Sequence, residues 1–494
     1  MTAQAQKADV KKNSKTAITP TREENFPEWY QGVVKAADLS ENSPVRGCMV
    51  IKPYGYALWE NIQRALDDKI KAEGVQNAYF PLLIPLSFIS REAEHIDGFA
   101  KECAVVTHHR LEKGPDGNLI PAPDSKLEEP FIIRPTSETI IGDSMAKWVQ
   151  SYRDLPLLLN QWANVMRWEM RPRMFLRTTE FLWQEGHNAF ATKEEAYADM
   201  VKMLDVYNDI YENYLAIGGI KGEKTADERF PGADNSITIE AMMQDGKALQ
   251  ACTSHNLGQH FAKSFNIQYQ GTDGQQHLCH TTSWGFSTRS VGGLIMSHAD
   301  DDGMIMPPKV APNQVAIIPI VKDDGAAVFE HCKQLAERLR AKGIRVKLDT
   351  SDARSSDKMW DSIKKGVPLR VEIGQREMDE GKLTHVRRDL GKDSKATVSG
   401  DEFVNKAQSI LDQMQADMLK RNTDFCRSNI HDVKTLADID AFFKEGGFGF
   451  CRIDSDVSLK DAEGFKKLKG DHSVSHRCLP FENEGKKVLI GKSY

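Results

Sequence analysis

From Ala57 to Glu73 apolar residues recur at helical spacing. Leu58, Ile62, Leu66 and Ile70 stand four apart, and Gly74 is a natural stop. The apolar segment NAYFPLLIP follows, and Pro81 and Pro85 mark it as an edge or interface strand. RLEKGPDGNLIPAPDS, Arg110 to Ser125, is polar and rich in turn formers, which predicts a surface insertion. FIIRPTSE predicts a strand ending in a turn, TIIGDSMAKWVQSY a helix, and LPLLLNQWANVMRWEM a buried strand. A long helix is predicted over Lys193 to Leu215, with Met200, Met203, Leu204, Tyr207 and Ile210 on its core side. SITIEAMM, KALQACTS, FNIQYQ and HLCHTTSWGFST read as strands, and SVGGLIMSHADDDG as a helix. The chain up to about residue 305 therefore predicts an antiparallel sheet flanked by helices.

The rhythm changes after the proline-bearing linker MPPKVAPNQ, Met306 to Gln314. VAIIPIV, AAVFEHCKQLAERLRAKG, IRVKLD, SDKMWDSIKKG and PLRVEIG alternate strand and helix, which predicts a small α/β domain with a partly parallel sheet. From about Gly400 a long helix, VNKAQSILDQMQADMLKRN, leads into a piece ending LIGKSY. The expected organisation is α+β: a tail over residues 1–23, then domains over 24–305, 306–405 and 406–494.

Composition narrows the class. A length of 494 residues suits about three domains. The net charge of −6 argues against gripping nucleic acid over the whole surface, but leaves room for a local basic patch. No run of about 18 apolar residues predicts a membrane span. Met1 to Thr21 lacks the apolar core of a signal peptide and reads as a disordered tail. Eight cysteines, none in a C-x-x-C pair, suit reduced thiols in a cytoplasmic protein.

Common nucleotide and hydrolase motifs are absent. GKKVLIGKS has P-loop glycines one residue too far apart, and no room follows for the helix. No H-E-x-x-H, G-x-S-x-G or Rossmann fingerprint occurs. The stretch MRWEMRPRMFLRTTEFLWQEGH, Met166 to His187, is the strongest candidate for chemistry. Period-two alternation puts Arg167 and Glu169 on one strand face, and a hairpin would bring Arg167, Arg177 and Phe181 round one cavity. Two guanidiniums can clamp phosphate or carboxylate oxygens, Phe181 can offer a ring face, and Glu169 can accept from an amine. A surface ion-pair ladder is the other reading of the same charges. In SWGFSTRSVGG small residues precede Arg289, which opens a helix and suits close approach to a nucleotide.

The helix and strand with Pro81, the R-x-E, loop and R-x-x-x-F pattern of Arg167 to Phe181, and the glycine-bearing segment ending in Arg289 resemble, in order, the three signature motifs of class II aminoacyl-tRNA synthetases. Within that class RPTSET, FLRT, FLWQEGH, GEKT…ERFPGA, TSHNLGQ, SWGFSTR, KGVPLRVEIG and a terminal KSY resemble the prolyl-tRNA synthetases of archaeal/eukaryotic-like form, over roughly Glu24 to Tyr494. No large insertion separates the second and third motifs, so the resemblance implies that the bacterial-type editing domain is absent.

The resemblance implies an antiparallel class II catalytic domain, an anticodon-binding domain and a small α+β C-terminal domain. It implies activation of L-proline with ATP and transfer to tRNA(Pro), with Mg2+ arriving with ATP and a homodimer formed through the Pro81 region. Arg167 would bridge the proline carboxylate and the α-phosphate, and Arg177 and Arg289 would hold the distal phosphates. Phe181 would stack on adenine near Glu169 and Thr178, with Gln250 and Thr253 near the ribose and substrates. Thr136 and Glu138 match the residues that meet the proline ammonium. Phe99, Trp183 and His187 match the ring walls and Glu185 braces the polar side, with His255, Ser283 and Gly285 completing the pocket. Such a slot rejects small isosteres weakly, since a methylene discriminates by only about 1–3 kcal/mol, so activation of alanine or cysteine is expected. Lys365, Arg370, Glu372 and Arg387 are candidates for reading the anticodon, and solvated strand charges are the other reading. Many relatives bind zinc near the C-terminus with two cysteine pairs. Here Asp456 follows Cys451, and Cys478 has no later C-x-x-C, so no structural zinc is expected. Tyr494 matches a chain end that packs towards the active site. A relative using threonine, glycine or serine, and an inactive tRNA-binding paralogue, are the competing readings. Glu138 and the apolar slot argue against the first, and the presence of Arg167, Arg177 and Arg289 against the second.

Overall fold

The computed structural model describes residues 16–90, 102–321 and 325–494. Its centre is an 11-stranded sheet. The middle strands are Gly219–Glu223, Asn235–Met242, Ala248–Gly258, His280–Ser287, Glu180–Phe190 and Leu157–Met166, each antiparallel to the next. Alternation along them separates two faces. One face carries Trp284 and Phe286, which pack against Tyr207, Tyr211 and Trp59 at ring separations of 5.5–6.4 Å. The helices Phe26–Ala36, Pro53–Ala72, Lys193–Asp209 and Arg289–His298 contribute buried side chains to this core. The other face is left open for the site.

Local chemistry accounts for the element ends. Pro53 opens its helix at the first turn, where its missing N–H costs nothing, so the helix starts four residues before the spacing suggests. Thr192 and Glu195 form a reciprocal capping box at the start of Lys193–Asp209, which then runs into a π turn over Ile210–Tyr214. The insertion at Arg110 to Ser125 is a two-stranded hairpin, Leu111–Lys113 with Leu119–Pro121. FNIQYQ yields only the short strand Gln268–Gln270, paired with Gln276–Leu278 outside the main sheet. Pro81 lies between Gln76–Asn77, at the edge of the main sheet, and Leu83–Pro85, in a separate three-stranded sheet. Within the expected tail, Ile18 is 2% exposed and donates its N–H to the Asp301 carbonyl, so residues 16–23 pack on the body rather than trailing from it. The rest of that expectation, residues 1–15, lies outside the described residues.

Residues 315–399 form a five-stranded sheet in the order Val346–Leu348, Val315–Ile320, Leu369–Gly374, Lys382–Arg387, Ala396–Ser399. The first three run parallel and the last two antiparallel. The helix Ala326–Ala341 and the first turns of the 29-residue helix Gly400–Ser428 seal its core. The C-terminal strands return to the main sheet: Val474–Pro480 pairs with Gly219–Glu223, and Lys487–Lys492 and Phe450–Asp454 follow outward. Among the described residues no helix is long and apolar enough to cross a membrane.

Candidate active site

The open face collects its side chains by register. Phe181, Trp183, Glu185 and His187 alternate along Glu180–Phe190 and so share one face. Glu185 lies opposite Gly285 and His187 opposite Ser283; these in turn oppose Thr253 and His255. Gln250 is three residues from Thr253 and would face away in a regular strand. The register shifts between Ile239 and Glu240, leaving Ala251 as the extra residue, and this bulge turns Gln250 to the same side. A cavity of about 310 Å³ results, lined by the residues of these three strands that share the face, Gln250 included, together with Thr136, Glu138, Arg167 and Arg289. An adjoining cavity of about 260 Å³ is lined by Glu169, Arg177 and Thr178, and shares Arg167, Phe181, Ser287 and Arg289 with the first. Arg167 and Arg289 therefore stand at the junction of two chambers. Phe99 falls outside the described residues.

The arginines are held by backbone oxygens. Arg167 donates Nε to the Pro135 carbonyl at 2.9 Å, and its guanidinium lies 5.6 Å and 5.3 Å from the ring centroids of Phe181 and Trp183. Burial pushes its pKa down to about 10, against the pull of Glu138, so it stays charged at neutral pH. Arg289 begins its helix and donates Nε to the Leu176 carbonyl at 3.3 Å. Burial and the Arg177 charge lower its pKa too. Arg177 follows a tight turn closed by reciprocal backbone bonds with Arg173, in which Phe175 adopts a left-handed φ of 63°. The Tyr30 hydroxyl donates to the Met174 carbonyl at 2.7 Å and anchors this turn. Arg171 donates its N–H to the Glu169 carboxylate at 2.7 Å.

The acidic side is equally fixed. The Thr136 hydroxyl donates to the Glu138 carboxylate. Glu185 accepts from the Ser137 hydroxyl at 2.5 Å, Gln161 at 2.8 Å and the His187 ring at 3.0 Å. His255 pairs through Nδ1 with the Ser236 hydroxyl at 2.7 Å, and burial with the nearby Lys224 charge pushes its pKa down to about 3. It is therefore a neutral wall.

Sequence reasoning assigned no role to Lys224, Glu228, Arg229 and Phe230, which line the first cavity from the loop after Gly219–Glu223. The motif GEKT…ERFPGA was visible, but a loop has no period from which to infer facing. The anticodon candidates are already engaged. Lys365 pairs with Asp361 at 2.9 Å and lies over the Tyr54 ring, Arg370 pairs with Glu372 at 2.9 Å, and Arg387 bonds Asp389 and Asp417. Cys451 and Cys478 are both buried, in different apolar clusters. Tyr494 donates its hydroxyl to Asp245 at 2.5 Å and its N–H to the Ala248 carbonyl, packing against the main core.

Comparison with known proteins gives this geometry its class. Residues 122–298 match the model of the tRNA synthetase class II core domain (G, H, P, S and T), and residues 314–410 match that of the anticodon binding domain. An antiparallel sheet bearing a two-chambered site with arginines at the junction, followed by an anticodon-binding module, defines a class II aminoacyl-tRNA synthetase. Proline–tRNA ligase of Protochlamydia amoebophila is 53% identical, over 97% of this chain and 96% of the relative. Those of Bdellovibrio bacteriovorus and Paramagnetospirillum magneticum are each 52% identical, over 97% and 98% of both chains. The chain belongs to the proline–tRNA ligase family.

Proposed function

We propose that the two chambers hold L-proline and ATP on either side of Arg167, and that the protein makes prolyl-adenylate there before charging tRNA(Pro). The activity itself, ATP-dependent ligation of proline to tRNA, is that of the family. A proline carboxylate oxygen attacks the α-phosphorus and pyrophosphate leaves. The 3′-terminal hydroxyl of the tRNA then attacks the acyl carbon and AMP leaves. Neither step asks the protein for covalent chemistry, so orientation and charge neutralisation carry catalysis.

The observation that carries the assignment is the junction. Arg167 lines both chambers, with Glu138 on one side and Arg289 beside it. Glu138, steadied by Thr136, suits the secondary ammonium of proline. Trp183, His187, His255, Ser283 and Gly285 wall its ring, and Glu185 orients His187. Phe181 offers its face to adenine and Glu169 and Thr178 lie in the same chamber, whereas Gln250 and Thr253 line the first chamber and would meet the ribose only where the two chambers join. Arg177 and Arg289 neutralise the leaving pyrophosphate. Mg2+ would arrive with the ATP phosphates, which with water supply most of its oxygen ligands.

The 314–410 domain would read the anticodon, with Arg370 and Glu372 the better candidates. Lys365 and Arg387 are bound into packing against Tyr54 and the Gly400–Ser428 helix. Beside Pro81 the exposed Tyr79, Leu83, Leu86 and Trp148 offer apolar surface that a second copy would cover, which supports a homodimer. Eight free thiols suit the cytoplasm.

Proline-dependent ATP–pyrophosphate exchange tests the assignment. Arg167→Ala should lower kcat by about 10²–10³-fold, the scale of losing one preorganised charge donor. Exchange unchanged by the substitution would place the chemistry elsewhere.

A further inference from the structure

A cluster of three buried charges lies behind the larger chamber. Lys224 Nζ donates to Glu240 Oε1 at 2.8 Å, and the side chains are 2% and 0% exposed. From the other side Arg477 donates both Nε and Nη2 to Glu240 Oε2, at 3.0 Å and 2.8 Å, and is itself 6% exposed. Arg477 sits on Val474–Pro480, the C-terminal strand paired with the end of Gly219–Glu223, next to where Lys224 begins the cavity loop. The loop is gripped twice more from the C-terminal region: His476, on the same strand, contacts Asp227 at 3.3 Å, and Lys469, on the preceding helix Ala462–His472, contacts Glu228 at 3.4 Å. Glu240 and Arg477 also act on Arg289 with opposite sign.

Two cations share one carboxylate here, so the cluster keeps one net positive charge away from bulk water. Lys224 lines the chamber, whereas Arg477 does not. We propose that Arg477 is a positioning residue for the anionic side of the site. By placing a second cation on Glu240, it leaves the Lys224 ammonium incompletely neutralised at the wall of the larger chamber, which also holds Arg167 and Arg289. The C-terminal segment thus sets the charge of the chamber in which the proline carboxylate would meet Arg167, without lining that chamber itself. This rests on the placement of proline and ATP in the two chambers.

Charge balance and simple packing separate in a variant cycle measured by proline-dependent ATP–pyrophosphate exchange on the full chain. Arg477→Met leaves a neutral Lys224–Glu240 pair and should lower kcat about tenfold or more, with KM for proline within about twofold. Arg477→Met combined with Glu240→Gln restores a single positive charge on Lys224 and should recover most of that loss. A double variant as impaired as Arg477→Met alone overturns the proposal, as does Arg477→Met with wild-type exchange. Should Arg477→Met fail to fold, as its circular-dichroism melt would show, Arg477→Lys decides. It keeps the charge but loses the fork, and a loss of about tenfold or more then sinks the charge account. Arg167→Ala run alongside separates the two levels. Exchange surviving that change refutes the site itself, whereas its loss beside a normal Arg477→Met refutes only the role of Arg477.

Discussion

Glu185 and His187 show how one contact overrides burial. Burial alone would raise the carboxyl and lower the imidazole. The direct contact, with Ser137, Gln161 and Glu138 around it, leaves Glu185 below its ordinary pKa and His187 above. The His187 part of the stabilisation is full below the ordinary imidazole value and is lost as pH rises through the raised one. The Glu185 part is present above the ordinary carboxylate value and is lost as pH falls through the lowered one. The gap in Tm between wild type and His187→Gln should therefore be widest at about pH 5–6, between the ordinary carboxylate and imidazole values, and shrink as pH rises through the raised value of His187. A gap that widens with pH would contradict an ionic pair. Gly186, between these two residues, is required by the other face: a Cβ there would lie 2.1 Å from the Trp284 ring. Gly186→Ala should destabilise by about 1–3 kcal/mol in denaturant unfolding. Trp183, Glu185 and His187 were legible only through the resemblance of FLWQEGH, although the two-residue repeat of Glu180–Phe190 is what brings them to one face. The alternation read for Arg167 and Glu169 falls past their strand, which ends at Met166. The Glu240–Arg477 contact was not legible, because its partners are 237 positions apart and no local pattern joins them.

Elements with a strong period were legible, and those decided by distant pairing were not. The helix Pro53–Ala72 and the strand Leu157–Met166 follow from their own apolar spacing. That the C-terminal strands would extend the main sheet does not, since strand pairing is chosen by what lies alongside. The turn between Arg173 and Arg177 belongs to this second group. Its left-handed Phe175 is a conformation that only its surroundings can sustain, and the Tyr30 hydroxyl, from a helix some 140 residues earlier, supplies one of the few fixed bonds to it. Tyr30→Phe removes that bond and leaves the half-buried Met174 carbonyl with only the Leu176 N–H, at a cost of about 0.5–1.5 kcal/mol. Because Arg177 lies on the same turn, the KM for ATP should rise severalfold while the KM for proline stays close to wild type. Equal changes in both would mean that Tyr30 supports the whole sheet rather than the turn.

Across the whole molecule, the body that performs activation and the domain proposed to read the anticodon are joined by more than the 306–314 linker. Arg388 clasps Asp300 with Nη1 at 2.8 Å and Nη2 at 2.6 Å, and donates Nε to the Ile363 carbonyl. Met304 and Met306 donate backbone N–H groups to the carbonyls of Lys364 and Gly366. Gly366 permits this approach: at a φ of 69° it brings its α-carbon so near Met304 that a Cβ would lie 2.6 Å from that backbone. A joint of this kind fixes an angle, and the angle matters only to a substrate long enough to touch both parts. In the proposed arrangement proline and ATP would touch one, and tRNA both. Arg388→Ala should therefore leave proline-dependent exchange within about twofold of wild type. The KM for tRNA in the charging reaction should rise roughly fivefold, the equivalent of about 1 kcal/mol of lost orientation. If exchange falls in parallel with charging, the clasp is holding the catalytic sheet together rather than setting the angle between two tRNA-binding surfaces.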